Sequence, residues 1–261
     1  YTQIREFRDV LRGESIIFIS KPGLPDWDRI SPAARLLAEE ATFHPTNRVL
    51  QLGCGHAAAA VALSRQLSDG EIWLSDPSVI ALRCARLTLE ANLVVNAKVI
   101  DSISLLPEYA DHFDTILMDA PKGRQLGRRW LVEAQALLKP GGALLLAGSN
   151  EIGIQSLIKD GHAVFGNSGV LAYKKGSRLA RFVKAISPQS FMANWVNEAG
   201  IAPDTWIRFP LEIDGQHFDI HTLPGVFSQN HLDEGTRLLL QHAPNPTGPS
   251  ILDLGCGYGV I

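Results

Sequence analysis

Two glycine-rich segments of the chain carry residue types that could bind a nucleotide-like ligand. Residues 251–260 read Ile-Leu-Asp-Leu-Gly-Cys-Gly-Tyr-Gly-Val, and residues 49–57 form a related copy in which Gln51 lies 202 positions before Asp253. A glycine-rich turn between a strand and a helix lets the backbone approach a ligand where a Cβ would clash, and the helix N-terminus adds N–H donors. Each segment therefore predicts such a turn at the start of an α/β unit.

The later segment differs from the spacing that binds dinucleotides. Its glycines Gly255, Gly257 and Gly259 alternate, whereas G-x-G-x-x-G is typical of a pyrophosphate site. Asp253 would repel a phosphate but could hold a cationic amino group, directly or through water. These features favour S-adenosylmethionine, which has an amino-acid end and no phosphate, over a nicotinamide cofactor. A tight turn in another kind of α/β protein is the alternative.

The earlier segment is a degenerate copy. It keeps Gly53 and Gly55, but Gln51 replaces the acid and Ala57 replaces the third glycine. Cofactor binding by this copy is therefore a weaker prediction than binding by the later one.

Acids follow the next two strands after the earlier segment. Asp76 and Asp101 occupy strand ends, where an acid conventionally binds ribose hydroxyls. Asp76 precedes Pro77, and that pair is equally typical of a helix N-cap followed by the first helical residue. The fourth strand ends in residues 119–122, Asp-Ala-Pro-Lys, which offer neither an aromatic platform nor an amide to position a flipped base. A catalytic first unit is therefore not favoured.

The elements around these segments predict a layered α/β fold. Apolar runs typical of strands lie at about 49–53, 71–75, 98–101, 114–118 and 143–147, separated by helical patterns. Ser31 and Pro32 predict a helix start, and that helix extends to about Phe43. Strands that alternate with covering helices predict a mostly parallel sheet. Residues 170–173 and 179–183 predict an antiparallel hairpin that closes it.

The distance between the two glycine segments predicts two units. We assign residues 1–186 to the first unit and 187–210 to a connector in which the strand–helix rhythm stops. Residues 211–261 form the beginning of a second unit, with a strand near 218–221 and a helix around Asp233 to His242.

A cluster of cations in the first unit could contact RNA. The net charge of the chain is −3, but residues 161–197 contain no Asp or Glu. The cations in this region are Lys174, Lys175, Arg178, Arg181 and Lys184. If they share one face they would attract phosphate. The alternative is a solvated hairpin edge whose lysines discourage pairing with other strands.

The composition argues against several other classes of protein. Apolar residues at 46% and charged residues at 20% are typical of a folded globular chain. Three widely spaced cysteines predict neither a disulfide framework nor a metal site, and they suggest a reducing, cytoplasmic location. No apolar run is long enough for a membrane span, so we expect no membrane partner.

The chain resembles the two-domain ribosomal RNA guanine-N2 methyltransferases. The resemblance rests on residues 222–228 (Thr-Leu-Pro-Gly-Val-Phe-Ser), 232–233, 238–240 and 252–259, and it extends to 18–23 and 147–153. It implies a duplicated, Rossmann-like class I methyltransferase fold with a seven-stranded sheet, of which the second copy is truncated here. It also implies that the first copy is degenerate, supports folding and helps to engage ribosomal RNA or a ribosomal subunit.

The resemblance further implies that the second copy binds S-adenosylmethionine and methylates a guanine. Asp253 and the three glycines after it then belong to the cofactor site, with Pro224, Phe227 and Ser228 in a flanking loop. A proline-glycine turn that only orders the chain is the alternative for this loop. The catalytic Asn-Pro-Pro-Phe motif of the family lies after the glycine segment, so no catalytic residue can be assigned in these 261 residues.

We therefore expect this chain to be inactive by itself. Two other hypotheses stay open. The chain could act as a non-catalytic RNA-binding scaffold, or its first unit could be a working methyltransferase for another substrate that uses Asp76 and Asp101.

Overall fold

The computed structural model describes residues 3–101, 108–187, 193–213, 215–243, 248 and 250–261. Its strands are β1 (Arg5–Leu11), β2 (Glu14–Ser20), β3 (Arg48–Leu52), β4 (Glu71–Ser75), β5 (Ala97–Val99), β6 (Phe113–Asp119), β7 (Leu138–Ser149), β8 (Gly169–Lys174), β9 (Ser177–Val183), β10 (Ile207–Ile213) and β11 (Gln216–Thr222). Its helices are α1 (Pro32–Glu40), α2 (Ala58–Ser64), α3 (Val79–Ala91), α4 (Arg124–Leu137), α5 (Ile154–Phe165) and α6 (Glu234–His242), with a 3-10 turn at Asn194–Asn197.

The first unit is built on one seven-stranded sheet of order β5-β4-β3-β6-β7-β9-β8. Neighbours from β5 to β7 pair in parallel, whereas β9 is antiparallel to both β7 and β8. The predicted parallel sheet and closing hairpin are confirmed. The chain leaves β3 toward β4 on one side and returns to β6 on the other, so a cleft opens beyond the carboxyl ends of β3 and β6.

Helices cover both faces of the sheet. Val49 belongs to the core cluster that contains α1, α2 and α3, and the next residue, Leu50, belongs to the cluster that contains α4 and α5. Successive strand side chains point to opposite faces, so a strand buried on both sides is apolar throughout. This explains why the strand runs of the first unit are continuous rather than alternating.

Two helix boundaries differ from the prediction. The start of α3 is capped by Ser78, whose Oγ accepts from the Ala81 N–H at 3.3 Å, so the prediction that Asp76 is the cap is wrong. Ser78 lies directly before the first helical residue and competes successfully for the free amides. Helix α1 ends at Glu40 rather than near Phe43, because the Gln66 side chain bonds the backbone of Ala41 and Phe43 in an extended segment.

The predicted connector packs on the first unit. Val196 and Ile201 are buried in the core cluster beside α4, and Arg129 of α4 donates to the Gly200 carbonyl at 2.9 Å. Strand β10 begins at Ile207, four residues before the predicted start of the second unit. Residues 188–192 of the connector lie outside the described residues.

Elements of the second unit repeat those of the first at a constant interval of 202 residues. Strands β10 and β11 stand at this interval from β1 and β2, and α6 stands at the same interval from α1. The helix caps correspond too, since Ser31 caps α1 and Asp233 caps α6 through side-chain oxygens that accept from an amide three residues later. The interval of the glycine segments thus extends over the hairpin and helix that precede them.

Side-chain contacts recur at the same interval. The rings of Phe7 and His56 lie edge to face at 5.5 Å, and those of Phe209 and Tyr258 lie edge to face at 5.6 Å. His56 Nε2 lies 3.2 Å from the Arg29 carbonyl. Tyr258 Oη correspondingly donates to the His231 carbonyl at 3.1 Å. Each glycine segment is therefore attached to its own hairpin and loop in the same way.

The only sheet of the second unit among the described residues is the two-stranded hairpin of β10 and β11. The strand predicted before its glycine turn does not form, and Leu252 and Leu254 are 80% and 86% exposed. A central strand needs a hydrogen-bonded neighbour on each side, and no described strand lies next to residues 251–254. Helix α6 likewise buries no residue among those described.

No helix among the described residues is long and apolar enough to cross a lipid bilayer.

The capping of α3 gives a stability prediction. Replacing Ser78 by Ala removes an N-cap acceptor and should lower the free energy of unfolding by about 1 kcal/mol. The matched variant Ser68→Ala, at an exposed serine that caps no described helix, should change it far less. Urea denaturation followed by circular dichroism measures both, and equal effects would contradict the assignment of the cap.

Candidate functional site

The first glycine turn lies at the carboxyl end of β3, inside the cleft. Gly53, Gly55 and Ala57 all have positive φ angles, of 71°, 52° and 67°. The Ala57 N–H closes the turn by donating to the Cys54 carbonyl at 2.8 Å. The left-handed region is costly for alanine, so Ala57 keeps a backbone conformation suited to the glycine that occupies the equivalent position in the second unit.

The Trp130 ring of α4 covers this turn. A Cβ placed on Gly53 would lie 3.0 Å and 3.1 Å from two ring carbons of Trp130, and 3.3 Å from the Asp119 carbonyl oxygen. The Trp130 ring therefore packs directly on one side of Gly53, at the wall of a cavity that both residues line. Sequence reasoning missed Trp130, because its contact with Gly53 is fixed by the packing of α4 and not by any local motif.

The two candidate ribose acids take part in other interactions. Asp76 accepts from the Gly55 N–H at 3.0 Å and from the Ser78 N–H at 2.8 Å, so it ties the glycine turn to the start of α3. Burial raises the pKa of Asp76 despite these two bonds. Asp101 is exposed and lies 2.5 Å from Arg86 Nη2. Asp76 faces the turn, whereas Asp101 is placed in a surface ion pair.

A third acid, Asp119, lies at the end of β6. Burial raises the pKa of Asp119 to about 7, and the nearby charges of Asp26 and Asp76 add to the increase. Sequence reasoning judged residues 119–122 by the aromatic and amide groups that they lack, and it did not predict a raised pKa for the Asp119 carboxyl. An acid directly after a buried strand was the signal that could have found it.

A cavity of about 350 Å³ lies next to the covered turn. It is lined mainly by apolar groups of the first unit and of the loop after β11, among them Leu52, Gly53, Leu126, Trp130, Leu223, Pro224 and Val226.

The charged pair of this cavity is Arg129 and Glu133. Both side chains are buried, and Arg129 Nε lies 2.9 Å from Glu133 Oε1. Burial raises the pKa of Glu133 to about 7 even though Arg129 lowers it. The i, i+4 spacing of this pair was its only signal in the sequence.

The predicted flanking loop lies against the first unit. Pro224 is buried in the cavity wall, beside α4. Phe227 is 74% exposed, and Ser228 has a positive φ of 51°. The three residues therefore do not share one environment.

The second glycine turn has the same backbone conformation as the first, but different atoms lie around it. Gly255, Gly257 and Gly259 have φ angles of 86°, 55° and 75°, and the Gly259 N–H donates to the Cys256 carbonyl at 2.7 Å. Among the described residues, a Cβ on Gly255 or Gly259 would meet no atom within 4 Å. Asp253 is half-buried beside this open turn. The candidate residues of the second unit are thus together, although no strand precedes them.

The five candidate RNA-contacting cations do not form one surface. Lys184 is largely buried and donates to Asp111 and to the Leu138 carbonyl. Arg178 and Arg181 are three residues apart on β9 and so lie on opposite faces of the sheet. Arg178 lies over the ring of Tyr173. Lys174 and Lys175 are exposed next to each other at the hairpin tip, whereas Arg181 is exposed by itself further along β9.

Known proteins share both the sequence and the fold. The family model described as methyltransferase small domain matches residues 15–180 and 217–261. Ribosomal RNA small subunit methyltransferase C of Shewanella sediminis is 35% identical over 163 residues, which cover 60% of this chain and 43% of the relative. The protein of the same name from Psychromonas ingrahamii is 32% identical over 152 residues, or 57% of this chain and 40% of the relative. The chain matches less than half the length of these relatives.

A solved structure with the same fold covers more of the chain. It is the 16S rRNA N2-guanine methyltransferase of T. thermophilus in complex with AdoMet and guanosine. The two align with a TM-score of 0.68 at 24% identity, over 91% of this chain and 57% of the other. At this identity the match establishes the fold, which is the predicted Rossmann-like class I methyltransferase fold.

The covering of Gly53 predicts an unequal pair of glycine substitutions. Gly53→Ala must place a methyl group against Trp130 at a positive φ, and we expect it to lower the free energy of unfolding by about 2–4 kcal/mol. Gly13 has a similar φ of 79° with nothing within 4 Å. Gly13→Ala should therefore cost only the backbone strain, about 1 kcal/mol. Denaturant titration compares them, and equal losses would contradict the contact with Trp130.

The raised pKa of Asp119 predicts how stability depends on pH. An unfolded aspartate titrates near 3.8 and folded Asp119 near 7. Between these values the folded state binds more protons, so the free energy of unfolding falls as pH rises. Asp119→Asn removes this contribution and should raise Tm at pH 8 more than at pH 4. Calorimetry at both values checks it, with exposed Asp69→Asn as the control. A change in Tm that is the same at both pH values would show that the pKa of folded Asp119 is not raised.

Proposed function

The chain belongs to the methyltransferase small domain family, and on that premise we propose that it is part of a two-unit, S-adenosylmethionine-dependent ribosomal RNA methyltransferase. Its target would be the exocyclic nitrogen of a guanine in small-subunit ribosomal RNA, modified in the cytoplasm. Residues 1–186 would form a degenerate first unit, 187–210 the connector and 211–261 the beginning of the cofactor-binding unit. The relatives named after this activity support the substrate class.

The observation that carries the proposal is the contrast between the two glycine turns. They share three positive φ angles, one closing hydrogen bond and a 202-residue interval that includes a hairpin and a helix. These likenesses support a duplication. They differ in chemistry, because Gln51 and Ala57 stand where the second turn has Asp253 and Gly259. The division of labour would follow from this difference, with the cofactor in the second unit.

The residues of the first cleft do not suit S-adenosylmethionine. The position equivalent to Asp253 is Gln51, which is buried and cannot neutralise a cationic amino group. The carboxylate of Asp76 is bonded to backbone amides on both oxygens, and Trp130 packs against Gly53 of the turn. We therefore assign no catalytic step to the first unit.

The second turn has the residue types that suit the cofactor. Asp253 would hold its amino end, and the open glycines Gly255 to Gly259 would let the backbone come close to the adenosyl part. Bound S-adenosylmethionine would supply the methyl group. Positioning the guanine requires a rigid polar and aromatic cluster at a strand end, and residues 119–121, Asp-Ala-Pro, do not provide one in the first unit.

The proposal predicts the outcome of a methyl-transfer assay. This 261-residue chain should transfer no label from S-[methyl-³H]adenosylmethionine to small-subunit ribosomal RNA, because its first unit lacks a cofactor site. A full-length relative of the same family serves as the positive control. Labelling of the RNA by this chain at a rate that Asp76→Asn abolishes would overturn the proposal, since it would locate catalysis in the first unit.

A second candidate function is RNA binding by the first unit, and the exposed hairpin tip is the observation that favours it. With Lys174 and Lys175 as the phosphate contacts, affinity for RNA should fall only about tenfold between 50 and 200 mM salt. Filter binding measures this slope. Lys174→Ala with Lys175→Ala should flatten it, whereas Lys184→Ala should leave it unchanged. A slope that indicates five or more contacts would contradict this limited surface.

A further inference from the structure

A proline-glycine loop follows the hairpin in both units, and the two copies have different surroundings. Pro22 and Gly23 correspond to Pro224 and Gly225 at the 202-residue interval, with glycine φ angles of 105° and 101°. Pro22 is exposed, and a Cβ on Gly23 would meet nothing within 4 Å. Pro224 is buried, and a Cβ on Gly225 would lie 3.1 Å from Leu126 Cδ2. The same backbone is therefore free in one unit and covered in the other.

Helix α4 of the first unit provides the cover. Leu126 packs against Gly225, and the Leu126 and Trp130 side chains share a cavity wall with Pro224. Pro224 also lies against the connector, because a Cβ on Gly200 would be 3.1 Å from Pro224 Cδ. Arg129 holds that connector by donating to the Gly200 carbonyl at 2.9 Å. The tip of the loop thus packs on α4 and on the connector bound to α4 through Pro224, while Gly225 keeps an exposed side.

Gln229 closes the loop and joins it to α4. Its side-chain oxygen accepts from the Gly225 N–H at 3.2 Å, and its side-chain amide donates to Gln125 Oε1. Its backbone carbonyl accepts from the hydroxyl of buried Thr222. A single residue therefore links the start of the loop, its tip and the first unit.

The other side of the loop is only partly buried. Val226 is only half-buried, whereas its counterpart Leu24 is buried against Ala81 and Cys84 of α3. Phe227 is exposed. In the first unit, the counterpart of Ser228 is Asp26, whose charge acts on Asp119 at the end of β6. The loop thus packs its tip and Val226 at the cavity beside α4, while Phe227 stays exposed.

We propose that α4 of the first unit is a positioning surface for this loop, and that Gln125 and Leu126 fix the loop beside the cofactor turn of the second unit. The role of the loop beside a cofactor rests on the proposed function. The contact of α4 with residues 222–229 does not depend on it. The first unit would then act on the second through these contacts, with no cofactor of its own.

Hydrogen–deuterium exchange of the whole 261-residue chain tests the contact. In Gln125→Ala and in Leu126→Ala, the amides of residues 222–229 should exchange about tenfold faster, because the loop loses the partner that keeps it closed. Amides of β3, β6 and β7 should keep their wild-type rates. The equivalent loop, residues 20–27, is an internal control whose exchange should not change, and Gln155→Ala on α5 is the matched helix-surface variant.

A charge-pair rescue separates positioning from general loss of stability. Gln125→Lys alone should speed exchange of the loop, and Gln125→Lys with Gln229→Glu should restore it, since a glutamate can accept from Gly225 and pair with the lysine. Unchanged exchange of residues 222–229 in the single variants would overturn the proposal. So would equal acceleration of residues 20–27, which would indicate general destabilisation.

This experiment contains no cofactor and no RNA, so its result is independent of the methyl-transfer assay. Methylation by this chain with normal loop protection would refute the proposed function and leave the contact intact. If the loop amides of the wild-type chain exchange as fast as those of the α4 variants, and no methylation is seen, only the proposed positioning surface is refuted.

Discussion

The contact of the Trp130 ring with Gly53 is the constraint on which the rest of the arrangement depends. It brings α4 over the carboxyl ends of β3 and β6, where a cofactor-binding α/β unit keeps space for its ligand. With α4 in this place, Arg129 reaches the connector and Leu126 reaches the loop after β11. The side chain that packs on the first glycine turn thus belongs to the helix that contacts the connector and the loop after β11.

The two glycine turns share a backbone conformation and differ in the side chains around it. The backbone is retained, since Ala57 still has a positive φ and still closes the turn as Gly259 does. Chain reversal over a buried strand end depends on that geometry. The side chains differ, because the amide Gln51 is buried in the first unit, whereas the acid Asp253 stands at the equivalent position of the second. The catalytic chemistry proposed for the second unit is consistent with this difference.

Much of the fold could be predicted from sequence because its signals are local. The strand runs of the first unit, its closing hairpin and the helix around Asp233 to His242 all lie within short windows, and the structure confirms them. The failures have physical reasons. Asp76 and Ser78 could both cap the start of α3, and Ser78 does so because it lies directly before the first helical residue. The cations of β9 alternate between faces, and Lys184 is bound by carbonyls that only the fold brings to it. Trp130 and Gly53 are 77 positions apart in the sequence and come into contact only when α4 packs on the sheet, so no local pattern predicts the contact.

The central claim is that the first unit has exchanged cofactor binding for support of the second. Its most direct test is a two-dimensional ¹H–¹⁵N NMR titration of the 261-residue chain with S-adenosylmethionine, which follows the amides of Gly53 and Gly55 and the indole N–H of Trp130. The account predicts that these three resonances stay in place up to millimolar cofactor. Saturable shifts of all three would show that the first cleft binds the cofactor and would contradict the account.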